Sequence, residues 1–170
     1  MSFSDLAKAR YSCRKLTDTP IAPEKIERIL QSTLAAPTAK NLQPYTIWTI
    51  KSPAALDKLK QATSYTFGAA LAFVIGAKED GAFVRPFDNK NFAQIDASIV
   101  ATHMMLAVQD EGLGTTWVGY FDAPKMFELF PQMQGHELIA IFPVGYPAEG
   151  AKPSPRHTDR RPISEAVIEL

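Results

Sequence analysis

The sequence predicts a layered domain of the α+β or α/β class. Apolar runs of strand length alternate along the chain with apolar patterns of helical period, as in a sheet covered by helices. One helical pattern, over about residues 92–111, is apolar on nearly every side and is expected to be buried on several sides. The chain has 170 residues, 46% of them hydrophobic, which is enough for one core. We therefore expect a single domain over residues 1–170.

The first helix is predicted to begin at Pro23 and to end before Pro37. Proline suits the first turn of a helix, and the carboxylate of Glu24 suits the positive end of the helix dipole. The apolar positions that follow share one face, at the spacing i, i+3, i+4, i+7 and i+8. These positions are Ile26, Ile29, Leu30, Thr33 and Leu34.

The following segments alternate between strand and helix. Residues 45–50 are rich in β-branched and aromatic residues and residues 71–75 are entirely apolar, so both are predicted strands. Between them, Pro53 begins a short helix whose Leu56 and Leu59 face inward. The long helix ends at Gly112 and Gly114, and part of its apolar surface is expected to face another subunit.

Two further strands are predicted at residues 115–119 and 138–144. Residues 78–91 are rich in charge, glycine, proline and asparagine, and residues 147–161 are rich in proline. Both segments are therefore expected to be irregular.

Composition excludes several functional classes. Lys and Arg number 18 and Asp and Glu number 18, so the chain has no overall attraction for nucleic acid or an anionic membrane. The single cysteine, Cys13, cannot form an internal disulfide, and the 3 histidines show no metal-ligand spacing. The first residues lack the apolar segment of a signal peptide, and the longest apolar stretch is far short of the ~20 residues that span a bilayer. We therefore expect a cytoplasmic protein.

Three residues near the start of the chain form the first candidate site. In an extended segment, Arg10, Ser12 and Arg14 point to the same side because side chains alternate between faces. Two guanidinium groups and a hydroxyl group that converge in this way suit a phosphate or another planar anion. The alternative is a solvated, charged turn between two helices.

The second candidate is the loop APTAKNLQPY, residues 36–45, between a helix and a strand. Its two prolines stiffen it, and Thr38, Asn41 and Gln43 offer donors and acceptors that suit the edge of a heteroaromatic ring. The alternative is an ordinary loop whose polar side chains bond to their own backbone.

Two later segments are weaker candidates. In GLGTTWVG, residues 112–119, Gly119 would let backbone N–H groups approach a planar ligand, whereas the alternative is a helix end followed by a buried strand. The tail is basic, and it is either solvated or able to reach a phosphate held by the arginines near the start. Its basic residues are Lys152, Arg156, Arg160 and Arg161.

The sequence lacks an evident acid–base pair or activated nucleophile. It has no GxSxG, HExxH, SxxK or Walker motif. Cys13, beside Arg14, is either a nucleophile or a buried small residue. Asp96 is either a general base or a partner of a neighbouring loop. His103 suits a protein core or a subunit interface. Groups that bind without reacting point to a cofactor that carries the chemistry.

Taken in order, these segments resemble the flavin-dependent nitroreductase family. The resemblance rests on the R-x-S-x-R start, the APTAKNLQPY loop, the EGLGTTWVG segment after the long helix, and FPVGYPAEG with the closing RRP. It implies an α+β fold with a central mixed or antiparallel sheet flanked by helices, in an intertwined homodimer. It also implies FMN bound at the subunit interface.

The resemblance further implies which residues hold FMN. Those near the start would contact the phosphate and the pyrimidine side of the ring, and those of the loop would come from the partner subunit. The segment after the long helix would bring a backbone N–H near the ring nitrogen N5, and the tail would return to the phosphate. The implied residues are Arg10, Tyr11, Ser12, Arg14, Thr38, Ala39, Asn41, Gln43, Trp117, Val118, Gly119, Arg160 and Arg161.

The implied activity is a two-step transfer in which NADH or NADPH reduces FMN and a small planar acceptor, such as a nitroaromatic or a quinone, then replaces the nucleotide. Three features depart from the family pattern: Thr38 stands for a serine, Tyr45 stands for a frequent tryptophan, and residues 78–91 are too few for the helical lid of larger members. The alternatives are a flavin-binding or flavin-sensing module without turnover, a dehalogenase or flavin-modifying branch of the fold, and a structural dimer without ligand.

Overall fold

The structure, a computed structural model, describes residues 2–170. Its helices are α1 (Phe3–Ala9), α2 (Pro23–Leu34), α3 (Pro53–Leu59), α4 (Ala93–Asp110), α5 (Ala123–Leu129) and α6 (Ile163–Ala166). Its strands are β1 (Leu16–Thr17), β2 (Tyr45–Ile50), β3 (Leu71–Ala77), β4 (Val84–Arg85), β5 (Lys90–Asn91), β6 (Glu137–Val144) and β7 (Tyr146–Pro147).

The central sheet is antiparallel, with β3 between β2 and β6. Its register defines two ends. Ala77 lies between Tyr45 and Glu137 at one end, and Leu71 pairs with Val144 at the other. All residues of β3 are buried, which explains why this strand reads as a continuous apolar run rather than as an alternating one. An antiparallel sheet between helices confirms the α+β alternative.

Alternate residues of β3 enter two hydrophobic cores. Phe73 and Ile75 belong to the core under α4 and α2, whereas Ala72 and Val74 belong to the core under α3 and α5. Helix α4 packs against the sheet on one side and against α2 on the other. This position explains why its sequence is apolar on nearly every side.

The predicted elements are largely confirmed, with boundaries within a few residues. The predicted strand at residues 115–119 is wrong. This segment makes only isolated bridges, from Thr115 to Ser12 and from Val118 to Ile141, with a third from Gly114 to Gly145. Because Ser12 lies on a different segment from Ile141 and Gly145, no continuous ladder forms, although most side chains of the segment are buried.

Three short helices, α1, α5 and α6, were not predicted. The first two have side-chain caps that the sequence shows: Ser2 accepts from the N–H of Asp5, and Asp122 accepts from the N–H of Lys125. The irregular segment at 78–91 contains only the short β4–β5 hairpin. The tail contains a 3-10 turn at Pro155–Thr158 before α6.

An ion pair joins α2 to the end of α4. Arg28 donates two hydrogen bonds to the carboxylate of Glu111, each 2.7 Å long. The guanidinium group lowers the pKa of Glu111 below its ordinary value of 4.5. The pair therefore stabilises the fold above that value, and the stabilisation is lost as the pH falls through the lowered pKa.

We expect Glu111→Gln to lower the free energy of unfolding at neutral pH, with a deficit that shrinks below the ordinary glutamate pKa of 4.5. The deficit shrinks because protonation of the wild-type carboxylate removes the same attraction that the substitution removes. Urea unfolding of both proteins on either side of that pH measures the effect. A deficit that is equal at both pH values would contradict it.

Candidate functional site

The start of the chain and its tail meet around one cavity of about 280 Å³, called the arginine cavity below. Three contacts fasten the tail here: His157 Nε2 lies 3.1 Å from the carbonyl of Lys8, Lys15 Nζ donates to the carbonyl of Glu149, and Ala148 N donates to the carbonyl of Lys15. The start of the chain is also bonded to the segment after α4, because Cys13 N donates to Thr115 O over 2.9 Å. The lining residues are Arg10, Tyr11, Ser12, Arg14, Ser154, Arg156, His157 and Arg160.

The arginine cavity is locally cationic in a chain of zero net charge. It contains four arginines and no carboxylate, and within residues 2–170 none of these arginines forms an ion pair. Arg160 is held by its own turn, since Nη1 donates to the carbonyl groups of His157 and Asp159 at 2.9 and 2.6 Å. Like charges gathered without a counter-charge suit a bound polyanion.

Tyr11 adds a neutral donor to this cationic site. Burial, followed by the neighbouring Cys13 thiol, raises the pKa of Tyr11 to about 12. The phenol therefore keeps its proton at neutral pH and remains a hydrogen-bond donor. Cys13 itself is buried, which agrees with the structural alternative for this residue.

A second depression of about 170 Å³, called the aromatic groove below, adjoins the arginine cavity. Arg14 lines both. The ring of Trp117 stands edge-on to Phe142, with centroids 5.4 Å apart, and a Cβ on Gly119 would meet only Trp117 Nε1, at 3.9 Å. The remaining lining residues are Tyr65, Phe67, Thr116, Val118 and Tyr120.

The backbone along the groove offers some N–H groups and not others. The N–H of Val118 donates to the carbonyl of Ile141 over 2.9 Å and is therefore used by the fold. The N–H groups of Trp117 and Gly119 form no hydrogen bond to any residue that the structure describes. Both N–H groups are therefore available to a planar ligand in the groove.

The loop from Thr38 to Gln43 is rigid but strained. Lys40, Asn41 and Gln43 have φ of 52°, 55° and 52°, in the left-handed region that side chains rarely adopt. Gln43 N donates to Thr38 Oγ1 over 3.1 Å, and Gln43 Nε2 lies 3.3 Å from the Asn41 oxygens. A backbone held in this way is typical of a functional loop.

Asp96 supports this loop from inside the protein. The residue is 2% exposed, and its Oδ1 accepts from Ala39 N over 3.0 Å. Its Oδ2 has no hydrogen-bond partner among the described residues. Asp96 thus bonds a neighbouring loop, which favours the structural alternative over a catalytic base.

Within one chain, the loop lies away from the arginine cavity. Lys78 N donates to Pro44 O at the end of the sheet that carries Tyr45, whereas Gly114 pairs with Gly145 beyond the opposite end. Thr38, Ala39, Asn41 and Gln43 line neither the cavity nor the groove, and Arg161 lies outside the cavity lining.

Sequence reasoning missed several lining residues. Ser154 and His157 carry a local signal, because a serine that caps a turn fixes the tail where it passes the start of the chain. Tyr65, Phe67 and Tyr120 lie in irregular segments without periodicity, so nothing in the pattern could assign them a side.

Two kinds of structural feature are not found in the described part of the chain. Between residues 2 and 170, no group of three His, Cys, Asp or Glu side chains is arranged to hold a metal ion. Over the same residues, no helix has both the length and the hydrophobicity that crossing a bilayer requires.

Three known proteins resemble this chain in sequence, in fold or in both. A crystal structure of a nitroreductase family protein from Clostridium difficile is 37% identical, with a TM-score of 0.90 over 99% of this chain and 98% of that one. The NADPH-flavin oxidoreductase of Vibrio harveyi is 27% identical over 161 residues, which cover 87% of this chain and 67% of that protein. A protein from Exiguobacterium sibiricum, solved in complex with FMN, shares the fold with a TM-score of 0.84 at 17% identity, over 100% of this chain and 98% of that one.

The family model described as Nitroreductase family matches residues 7–67 and 64–146, which is most of the chain. The matched range includes the start of the chain, the strained loop and the segment that lines the aromatic groove. The chain therefore belongs to the nitroreductase family.

Proposed function

We propose that this protein is an FMN-dependent oxidoreductase that uses NADH or NADPH to reduce small planar acceptors such as nitroaromatics or quinones. The observation that carries the proposal is the junction at Arg14, where an arginine cavity without carboxylates meets an aromatic groove. FMN has the matching chemistry, a phosphate dianion joined to a flat heteroaromatic ring. The Vibrio harveyi relative, an NADPH-flavin oxidoreductase, supports the same reading.

The residues present fit FMN. Arg10, Arg14, Arg156 and Arg160 supply charge-assisted donors for a phosphate, and Ser12 supplies a hydroxyl. Gly119 leaves open space beside the groove, where a side chain would approach the ring.

When bound, FMN supplies the two-electron transfer between the nucleotide and the acceptor. The protein contributes binding, orientation and electrostatics. Arg14, at the junction, would hold the flavin and would place a positive charge beside it. The N–H groups of Trp117 and Gly119 remain available along the ring edge. The nucleotide and the acceptor would take turns beside the ring, in a two-step, ping-pong order.

The site is completed by a second copy of the chain. The strained loop with Thr38, Ala39, Asn41 and Gln43 has its polar groups preorganised, yet it lies beyond the reach of its own cavity. A homodimer places the loop of one protomer at the flavin of its partner. On the shallow surface of α4, Ile95 is exposed and Ile99 is half-buried among Gln94, Ser98 and Thr102, and such a mixed apolar and polar surface suits a contact between copies.

The test begins with protein purified without added flavin. We expect a yellow protein that bleaches when NADH or NADPH is added anaerobically and regains its colour when menadione or nitrofurazone follows. A colourless protein that takes up no FMN would contradict the proposal. A yellow protein that either nucleotide reduces only slowly would favour a flavin-binding module without turnover.

A further inference from the structure

We propose that Tyr65 and Tyr120 determine acceptor specificity by forming an aromatic wall at the open side of the groove, which favours aromatic over non-aromatic acceptors. The inference rests on the proposed function and adds residues that neither the motifs nor the family resemblance assigned. Tyr120 is 79% exposed and Tyr65 is 41% exposed. Both line the aromatic groove beside Trp117 and Gly119.

The two rings form an ordered pair. Their centroids are 5.8 Å apart at an interplanar angle of 77°, an edge-to-face contact, and Phe67 lies 5.8 Å from Tyr65 at 34°. Single exposed aromatic side chains are common, but a cluster of them beside a cavity is typical of a binding surface.

Hydrogen bonds join the two backbone segments that carry these rings, so the aromatic wall is rigid. Thr63 Oγ1 donates to the carbonyl of Tyr120 over 2.9 Å and accepts from the N–H of Tyr65 over 3.2 Å. The N–H of Asp122 donates to the carbonyl of Ala62 over 2.9 Å. One buried hydroxyl thus fixes the backbone of both tyrosines, which lowers the entropy lost when a ligand packs against them.

Gly119 and Tyr120 line both the aromatic groove and a third depression. This third depression has a volume of about 430 Å³ and is also lined by Lys60, Gln61 and Ser64. A flat molecule above Trp117–Gly119 would therefore lie beside Tyr120, at the boundary between the two depressions. An aromatic acceptor gains an aromatic contact there, whereas an inorganic acceptor does not.

The experiment compares two acceptors on the holoenzyme, reduced beforehand with dithionite so that nucleotide binding plays no part. Menadione is planar and aromatic, and ferricyanide is neither. We expect Tyr120→Ala and Tyr65→Ala each to raise the menadione concentration needed for half-maximal reoxidation by roughly 3- to 10-fold. The ferricyanide requirement should change less than about twofold, and Tyr120→Phe, which keeps the ring, should behave as wild type.

A second readout does not use turnover. Menadione binding to the oxidised holoenzyme, followed by quenching of protein fluorescence, should weaken in Tyr120→Ala by the same factor. Equal losses for both acceptors, a Tyr120→Phe variant as impaired as Tyr120→Ala, or loss of the dimer in Tyr120→Ala would each overturn the inference. If the alanine variants bind FMN normally and their ratio of menadione to ferricyanide requirement is unchanged, the inference about the tyrosines is wrong and the proposed function stands. If the wild-type protein binds no FMN, both are wrong.

Discussion

Arg14→Ala is expected to weaken FMN binding by roughly 10- to 150-fold, which corresponds to the loss of about 1.5–3 kcal/mol for a charge-assisted hydrogen bond. Arg14 is the one arginine that lines both the arginine cavity and the aromatic groove. It forms no ion pair with any residue of the described chain, so its removal leaves no carboxylate unpaired. The fold should therefore remain stable while the cofactor dissociates.

Flavin fluorescence measures the effect when FMN is titrated into apoprotein, and a thermal unfolding curve of the apoprotein reports on the fold. Lys58→Ala is the control for loss of a positive charge, because Lys58 is exposed, forms no ion pair in the described chain and lies outside the linings of the cavity and the groove. Its FMN affinity should stay within about twofold of wild type. An Arg14→Ala variant that retains wild-type FMN affinity would refute the placement of the phosphate.

Much of the fold could be predicted because its main elements have regular apolar patterns. The period of α2, the continuous apolar run of β3 and the long apolar span of α4 each follow from which faces are buried. Leu34 shows the limit of this reasoning. It shares the apolar spacing of α2 but is exposed, whereas Thr33 beside it is fully buried, so Leu34 lies at the edge of the packed face. Periodicity defines a face and not how much of its width the neighbouring elements cover.

The candidate site could be predicted only where it follows the chain locally. Arg10, Ser12 and Arg14 share a side because the segment is extended, and the structure gathers them around one cavity as expected. Their meeting with Arg160 depends on contacts such as that between His157 and Lys8, which are far apart in sequence. Such contacts leave no periodic trace. The basic residues of the tail offered this meeting as one of two alternatives, and the family resemblance favoured it.

The wrong strand at residues 115–119 has the same origin. Thr115 and Val118 have strand-forming side chains and are buried, but their partners, Ser12 and Ile141, belong to two different segments. Propensity reports that a residue suits extended backbone and says nothing of which neighbour pairs with it. The interrupted pairing is what leaves the N–H groups of Trp117 and Gly119 without partners in the described chain.

Gly145→Ala is expected to destabilise the fold by about 1–3 kcal/mol, the usual cost of forcing extra volume into packed structure. A Cβ at this position would lie 2.5 Å from the carbonyl oxygen of Thr17 and 3.2 Å from Leu16 Cβ. Gly145 also exchanges backbone hydrogen bonds with Gly114, whose own Cβ would lie 2.9 Å from Cys13 Sγ. The segment that carries the arginines is therefore held to the sheet by backbone contacts that only glycine allows at these two positions.

The melting temperature of the Gly145→Ala apoprotein should fall by roughly 3–10 °C, and FMN affinity should fall with it, because β1 must shift away from the new methyl group. Gly119→Ala separates these two effects. Its Cβ would meet only Trp117 Nε1, at 3.9 Å, so its apoprotein should melt as wild type does. Its FMN affinity should nevertheless fall, since the methyl group occupies space beside the groove. A Gly145→Ala variant with wild-type melting temperature would show that β1 can move without cost and that this packing does not position the arginines.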